Sequence, residues 1–181
     1  GPYVEGMTFG HEYAGEVVEV GTAVKRIKVG DRVVGCPTFV CGKCESCLMG
    51  EPAQCERLHV LGAYLPGAYA EYTKVPESHV IVLPDNVDYD TAALVEPSSV
   101  VARGFYHTSI HPGTEVAIMG VGSIGLLAVQ WAKIFGAKKV YAIDIDNKKL
   151  KIAKALGADI TINSLEKPAH EQIIEYTNGR G

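Results

Sequence analysis

Glu115-Val-Ala-Ile-Met119, Gly120-Val121-Gly122-Ser123-Ile124-Gly125 and Val140-Tyr-Ala-Ile-Asp144 belong to one pattern. A short apolar strand runs into a G-x-G-x-x-G turn, the turn opens an amphipathic helix, and an acid ends the next strand. The first glycine permits the tight turn, the second lets a pyrophosphate approach the backbone, and the third lets helix and strand pack closely. The helix N-terminus, at Ser123 and Ile124, offers unpaired N–H groups and a partial positive charge to phosphate. Asp144 lies 19 residues after Gly125, where a carboxylate accepts hydrogen bonds from an adenosine ribose. Strand before, helix after and acid at this distance distinguish the stretch from an ordinary glycine-rich βα turn. The pattern predicts a bound dinucleotide, with Gly120, Gly122, Ser123, Ile124, Gly125 and Asp144 in contact with it. A carboxylate at 144 with no arginine beside it favours NAD over NADP, because it repels a 2′-phosphate.

The surrounding chain fits a parallel sheet. Ile124, Leu127, Ala128, Trp131, Ala132 and Phe135 form one helical face of 3.6-residue period, and Gly136 is a plausible stop. Asn147 is placed to cap a second helix that buries Leu150, Ala153 and Leu156 and ends at Gly157. Asp159 to Ile162 reads as a third strand, and Pro168 as the first residue of a third helix. Three βα units make half of a dinucleotide fold. The chain stops at Gly181, where a fourth strand would begin, and starts at Gly1-Pro2 without a methionine. Both ends suggest part of a longer protein.

Upstream of Asp90 the signals are β-type. Tyr13–Val20, Gly67–Val75 and His79–Leu83 read as strands and Val29–Val34 as a turn entering another, with Pro76 and Pro84-Asp85-Asn86 as punctuation. Asp90 or Thr91 is placed to cap a connector helix that Pro97 interrupts.

Composition narrows the function. The 181 residues are 47% hydrophobic and 21% charged, as in a globular chain. A net charge of −4 without a basic stripe argues against a nucleic-acid partner. Lys148, Lys149, Lys151 and Lys154 lie at helical spacing and read as a solvated face. The longest uncharged run, Val116–Ala132, has 17 residues and three glycines, which argues against a membrane span.

Cys41-x2-Cys44-x2-Cys47-x7-Cys55 is a second motif. Two-residue gaps let a tight turn aim successive thiolates at one ion, and the longer gap returns the fourth from the far side. Four thiolates close a tetrahedral zinc site, which makes it structural rather than catalytic. An iron–sulfur cluster accepts the same four thiolates, and spacing alone leaves it open. A disulfide framework suits a small secreted domain better than one joined to a cofactor fold. Cys36 stands outside the quartet and reads as a small buried hydrophobe.

Gly10-His11-Glu12-x2-Gly15, Gly30-Asp31-Arg32-Val33, the cysteine quartet, Ala70-Glu71-Tyr72, Glu96-Pro97 and the glycine loop occur in that order. The order resembles the zinc-dependent medium-chain alcohol and polyol dehydrogenases across essentially the whole chain. The resemblance implies a partial GroES-like β domain with a structural zinc lobe over residues 1–112. The first half of a Rossmann doubly wound parallel sheet would follow over 113–181. It implies a catalytic zinc held by His11, with Glu12 in or beside its coordination sphere and Glu96 as a further ligand. Glu followed by Pro at 96–97 is similar to the polyol branch, whose substrates are sugar alcohols and their phosphates. Lys149 would reach the adenosine ribose. A cytoplasmic dimer or tetramer is implied as well. The family's first zinc ligand, a cysteine, belongs to a segment upstream of Gly1, so no dehydrogenase activity is expected of these 181 residues alone.

Two other readings compete. A zinc-free reductase of the same fold, as in quinone oxidoreductases, would lack the cysteine quartet and the His-Glu pair. A non-enzymatic, zinc-stabilised NAD-binding module would keep only the quartet. Two, none or one zinc per intact chain separates the three.

Overall fold

The computed structural model describes residues 5–180. Packing divides the chain into two compact units, Gly1–Glu96 and Pro97–Gly181. The division falls before the 112/113 boundary expected from sequence, because the connector helix packs with the second unit. Phe105 lies against that unit's core, and Trp131 Nε1 donates to Ser98 Oγ at 2.8 Å.

The first unit contains β1 (Ala14–Glu16), β2 (Arg32–Gly35), β3 (Thr38–Phe39), α1 (Glu45–Leu48), β4 (His59–Val60), β5 (Val80–Val82) and α2 (Tyr89–Ala93). An antiparallel sheet runs β1-β2-β5, and β3 pairs with β4. Val34 lies opposite Ala14 on one side and Ile81 on the other. It packs with Leu83 and Ala92, flanked by Ala14 and Val87. Arg32 ties the sheet to the entry of α2, donating to the Asp85 and Val87 carbonyls and lying 4.9 Å from the Tyr89 ring centre. Asp88, rather than Asp90 or Thr91, caps α2. Its extended backbone lets the carboxylate accept the Thr91 N–H at 2.6 Å.

Two expected strands are corrected. Only Ala14–Glu16 of the 13–20 stretch is a strand, followed by a short pairing in which Val17 N–H donates to Asp31 O at 2.9 Å. The 67–75 stretch forms no strand. Residues 67–69 donate to the backbone of 8–10, and residues 70–75 make no backbone hydrogen bond among the described residues. A strand exists only with a ladder partner, whatever its β propensity. A groove of ≈790 Å³ opens between residues 13–21 and 68–75. Cys36 is exposed, not buried.

α3 (Val95–Tyr106) crosses the division between the units. Pro97 sits in its first turn, where a missing N–H breaks no helical bond. The second unit continues with β6 (Glu115–Met119), α4 (Ser123–Ile134), β7 (Lys139–Asp144), α5 (Asn147–Ala155), β8 (Ile160–Asn163) and α6 (Ala169–Tyr176). The three strands are parallel in the order β6-β7-β8. Central β7 is buried on both faces, hence its unbroken apolar run. Val140 and Ala142 face Val129 and Ala132 of α4 and Leu150 and Ala153 of α5. Tyr141 and Ile143 face the opposite way, with Ile162 and the flanking Ala169 and Ile173 of α6. Right-handed crossovers that advance one strand at a time put α4 and α5 on the same face.

The inward stripe of α4 differs from the expected one. Gly125, Val129 and Ala132 are buried, whereas Ile124 is half exposed. Small residues at these positions let the helix axis settle closer to the sheet. Asp146 caps α5, its carboxylate accepting the Lys148 N–H at 2.8 Å, and Asn147 is the first helical residue. Leu156 lies past the end of α5 and is exposed. Pro168 is the cap of α6 rather than its first residue.

Candidate metal and dinucleotide sites

His11 leaves a tightly packed crossing of backbones. Gly67, Ala68 and Tyr69 N–H groups donate to the Thr8, Gly10 and Phe9 carbonyls at 2.7, 2.9 and 2.8 Å. A Cβ on Gly62 would lie 2.6 Å from Gly10 N, and one on Gly67 would lie 2.3 Å from Phe9 O. Both positions must therefore be glycine for the chain to close on His11. The sequence reading missed Gly62 and Gly67. Their only signal is composition, since neither belongs to a spaced motif. Tyr69, also missed, lays its ring on Gly10 while remaining 80% exposed.

From this crossing His11 and Glu12 meet Glu96, which lies in the first turn of α3. One ligand atom from each of the three lies within 4.8 Å of the others. Zinc–nitrogen and zinc–oxygen bonds of about 2.0–2.2 Å put tetrahedral donors about 3.4 Å apart, a spacing this cluster accommodates. One imidazole and two carboxylates suit zinc and leave room for a further ligand.

Cys41, Cys44, Cys47 and Cys55 also converge, with one sulfur from each within 4.8 Å of the others. Cys44 caps the short helix that carries Cys47. Backbone N–H groups already solvate the sulfurs. Cys44 N–H points at Cys41 Sγ at 3.3 Å, Cys41 N–H at Cys55 Sγ at 3.3 Å, and Arg57 N–H at Cys55 Sγ at 3.4 Å. The backbone N–H groups of Lys43 and Cys44 lower the Cys41 thiol to about 6. Those of Cys47 and Glu56 lower Cys44. Burial, then the neighbouring Cys44, pushes Cys47 up to about 12. Four converging thiols need a positive centre to hold them together as thiolates, and a divalent ion supplies one. No disulfide forms among these cysteines. The set fits a structural zinc.

In the second unit the glycine loop follows β6 directly. Gly120 takes φ +85°, and a Cβ on Gly125 would lie 2.0 Å from Gly120 O. A Cβ on Gly122 would meet nothing within 4 Å, so the space it leaves faces outward, where a pyrophosphate would approach. Ser123, Ile124 and Gly125 open α4, and their N–H groups have no acceptor among the described residues. Leu126 is the first to close a turn, onto Gly122 O at 2.8 Å. Asp144 ends β7 with 9% exposure. One carboxylate oxygen accepts the Val121 N–H at 2.8 Å, and the other accepts those of Ile145 and Asp146 at 2.8 and 3.0 Å. These donors, Val121 first, hold its pKa below the usual carboxylate range. Three accepted bonds leave about one of a carboxylate's roughly four lone-pair positions for a ribose hydroxyl. Lys149 is exposed on α5, and its charge also favours ionised Asp144.

Two family profiles match the chain. Residues 2–85 match the alcohol dehydrogenase GroES-like domain, and residues 123–181 match the zinc-binding dehydrogenase domain. The chain belongs to the zinc-dependent alcohol and polyol dehydrogenase family. It is 41% identical to the sorbitol dehydrogenase of Bacillus subtilis over 184 residues, covering 100% of this chain and 52% of that protein. The structure resembles galactitol-1-phosphate dehydrogenase from Escherichia coli with TM-score 0.89 and 36% identity, covering 97% of this chain and 51% of the other. It also resembles a zinc-binding dehydrogenase from Sinorhizobium meliloti 1021 bound to NADP, with TM-score 0.91 and 35% identity over 94% and 50% of the two chains. The chain spans about half the length of the curated relatives it matches. No helix among the described residues is long and apolar enough to cross a membrane.

Proposed function

We propose that the whole protein oxidises a secondary alcohol of a polyol or polyol phosphate to a ketone, passing the hydride to NAD. The observation that supports this most is the meeting of His11, Glu12 and Glu96 within 4.8 Å. The alcohol R2CHOH loses its hydroxyl proton to solvent and its carbinol hydride to NAD+, giving the ketone and NADH. Zinc bound at the cluster would supply Lewis acidity, lowering the pKa of the alcohol hydroxyl. His11 contributes a neutral nitrogen, and Glu12 and Glu96 contribute the negative charge that holds a divalent ion. Ser123, Ile124 and Gly125 N–H groups bind the pyrophosphate, and Asp144, with Lys149 beside it, binds the adenosine ribose. Cys41, Cys44, Cys47 and Cys55 hold a second zinc that fixes their lobe.

The NADP seen in the Sinorhizobium meliloti relative belongs to that protein. Here a buried, ionised Asp144 favours NAD. A homodimer or homotetramer and a cytoplasmic site complete the proposal. Metal analysis and a panel of polyols and their phosphates test it. Two zincs per chain and NAD-linked oxidation are expected, with one zinc lost in His11→Ala. A zinc-free protein that reduces quinones would overturn the reading, as would one zinc with no turnover.

A further inference from the structure

Asp144 does not hold its position alone. Its register partner across the sheet is Asn163, at the carboxyl end of β8. The Asn163 amide donates to Asn147 Oδ1 at 2.9 Å and, more weakly, to Ile145 O at 3.4 Å. Its own Oδ1 accepts the Leu165 N–H at 2.9 Å, which fixes the direction of the amide. From the far face, Gln172 of α6 donates to the Asn163 carbonyl at 3.3 Å and to Lys167 O at 2.7 Å. One side chain thus clamps the turn 145–147, and a helix anchors the clamp. That turn supplies two of the three N–H groups that orient the Asp144 carboxylate.

We infer that Asn163, through Asn147, is a positioning residue for the ribose acceptor Asp144 and so for discrimination against a 2′-phosphate. The inference rests on the NAD reading given above. Without the clamp the turn relaxes and the two N–H groups leave the carboxylate oxygen they share. Asp144 then keeps its charge but loses its aim. The half-exposed Ile145 side chain, beside the same site, is released with it. The requirement is for a donor at 163. Asn163→Asp is nearly isosteric and retains the acceptor for Leu165 while removing the donor, so it separates aim from shape.

The test measures NAD and NADP dissociation constants of the protein by calorimetry, alongside thermal melts. Asn163→Asp and Asn163→Ala should each weaken NAD about three- to tenfold, the scale of one or two lost hydrogen bonds, and leave NADP nearly unchanged. Asn147→Ala should do the same, and the double variant should be no worse than the single ones. A purely structural role would weaken both cofactors together in step with the melting temperature, and that result would overturn the inference. So would unchanged constants in a protein whose Asp144→Ser variant does alter the ratio. A native protein that binds neither cofactor overturns the cofactor reading and this inference with it.

Discussion

The Val121 N–H donates to Asp144 Oδ2 across 2.8 Å, joining the glycine loop after the first parallel strand to the acid that ends the second. The loop proposed to bind the pyrophosphate and the acid proposed to bind the ribose are therefore one hydrogen-bonded piece. A change at Asp144 should be felt at the loop as well as at the ribose.

Asp144→Ser should weaken NAD and improve NADP. Hydrogen bonds to a charged partner are worth about 1.5–3 kcal/mol, which sets an expected change of about ten- to a hundredfold in the affinity ratio. Serine cannot satisfy all three N–H groups, so the melting temperature should fall too. A cofactor ratio equal to that of the unaltered protein would refute the assignment.

The same carboxylate predicts an acid limb. Asp144 has its folded pKa lowered by the Val121 N–H and its neighbours, and Glu115 has its own lowered chiefly by the Tyr141 hydroxyl. A carboxylate depressed in the folded state stabilises fully above its unfolded pKa, about 3.9 for Asp, and loses that contribution as pH falls through the folded value. Stability should therefore decline below about pH 4. Asp144→Asn should be less stable at neutral pH and flatter in that range. Denaturant unfolding at several pH values, read by Trp131, measures both.

Gly125→Ala should cost about 1–3 kcal/mol, as overpacking does, because its Cβ would fall on the Gly120 carbonyl. The helix must then move off the sheet or the loop must open. Gly122→Ala meets no protein atom and should leave the melting temperature almost unchanged while weakening the cofactor. Calorimetric melts with and without NAD separate the two effects.

Zinc uptake by the cysteine lobe should release protons. Cys41, lowered to about 6, is already largely thiolate at neutral pH, whereas Cys47, raised to about 12, must give up its proton. At least one proton but fewer than four should appear per zinc, and affinity should rise with pH. Titration calorimetry in buffers of different ionisation enthalpy counts them. Four protons per zinc would contradict the lowered Cys41.

The motifs legible in the sequence were those whose chemistry depends on local spacing. Gly120–Gly125 with Asp144, and the cysteines at two-residue intervals, each pull their parts together over a few turns of chain. Glu96 lies far from His11 in sequence, and only family resemblance joined them before the fold did. What escaped was set by contacts between distant segments. Gly62 and Gly67 matter because they press on residues 9 and 10. The inward stripe of α4 follows small residues rather than large ones, since closeness to the sheet selected it. Asp88 and Asp146 took the caps expected of neighbours because helix starts are decided by one residue's backbone angles. The 67–75 stretch shows the limit most clearly, being rich in strand formers yet without a ladder.

That stretch has a practical consequence. Ala70 to Lys74 present a hydrogen-bonding rim unmatched by any described neighbour, with the exposed tyrosines Tyr69 and Tyr72 beside and on it. Uncovered rims of this kind recruit whatever extended polypeptide passes, including another molecule of the same sort. Glu71 and Lys74 are the only charges on it. Neutralising both, as in a Glu71→Gln, Lys74→Gln protein, should make it aggregate at lower concentration than the unaltered protein, as light scattering would measure.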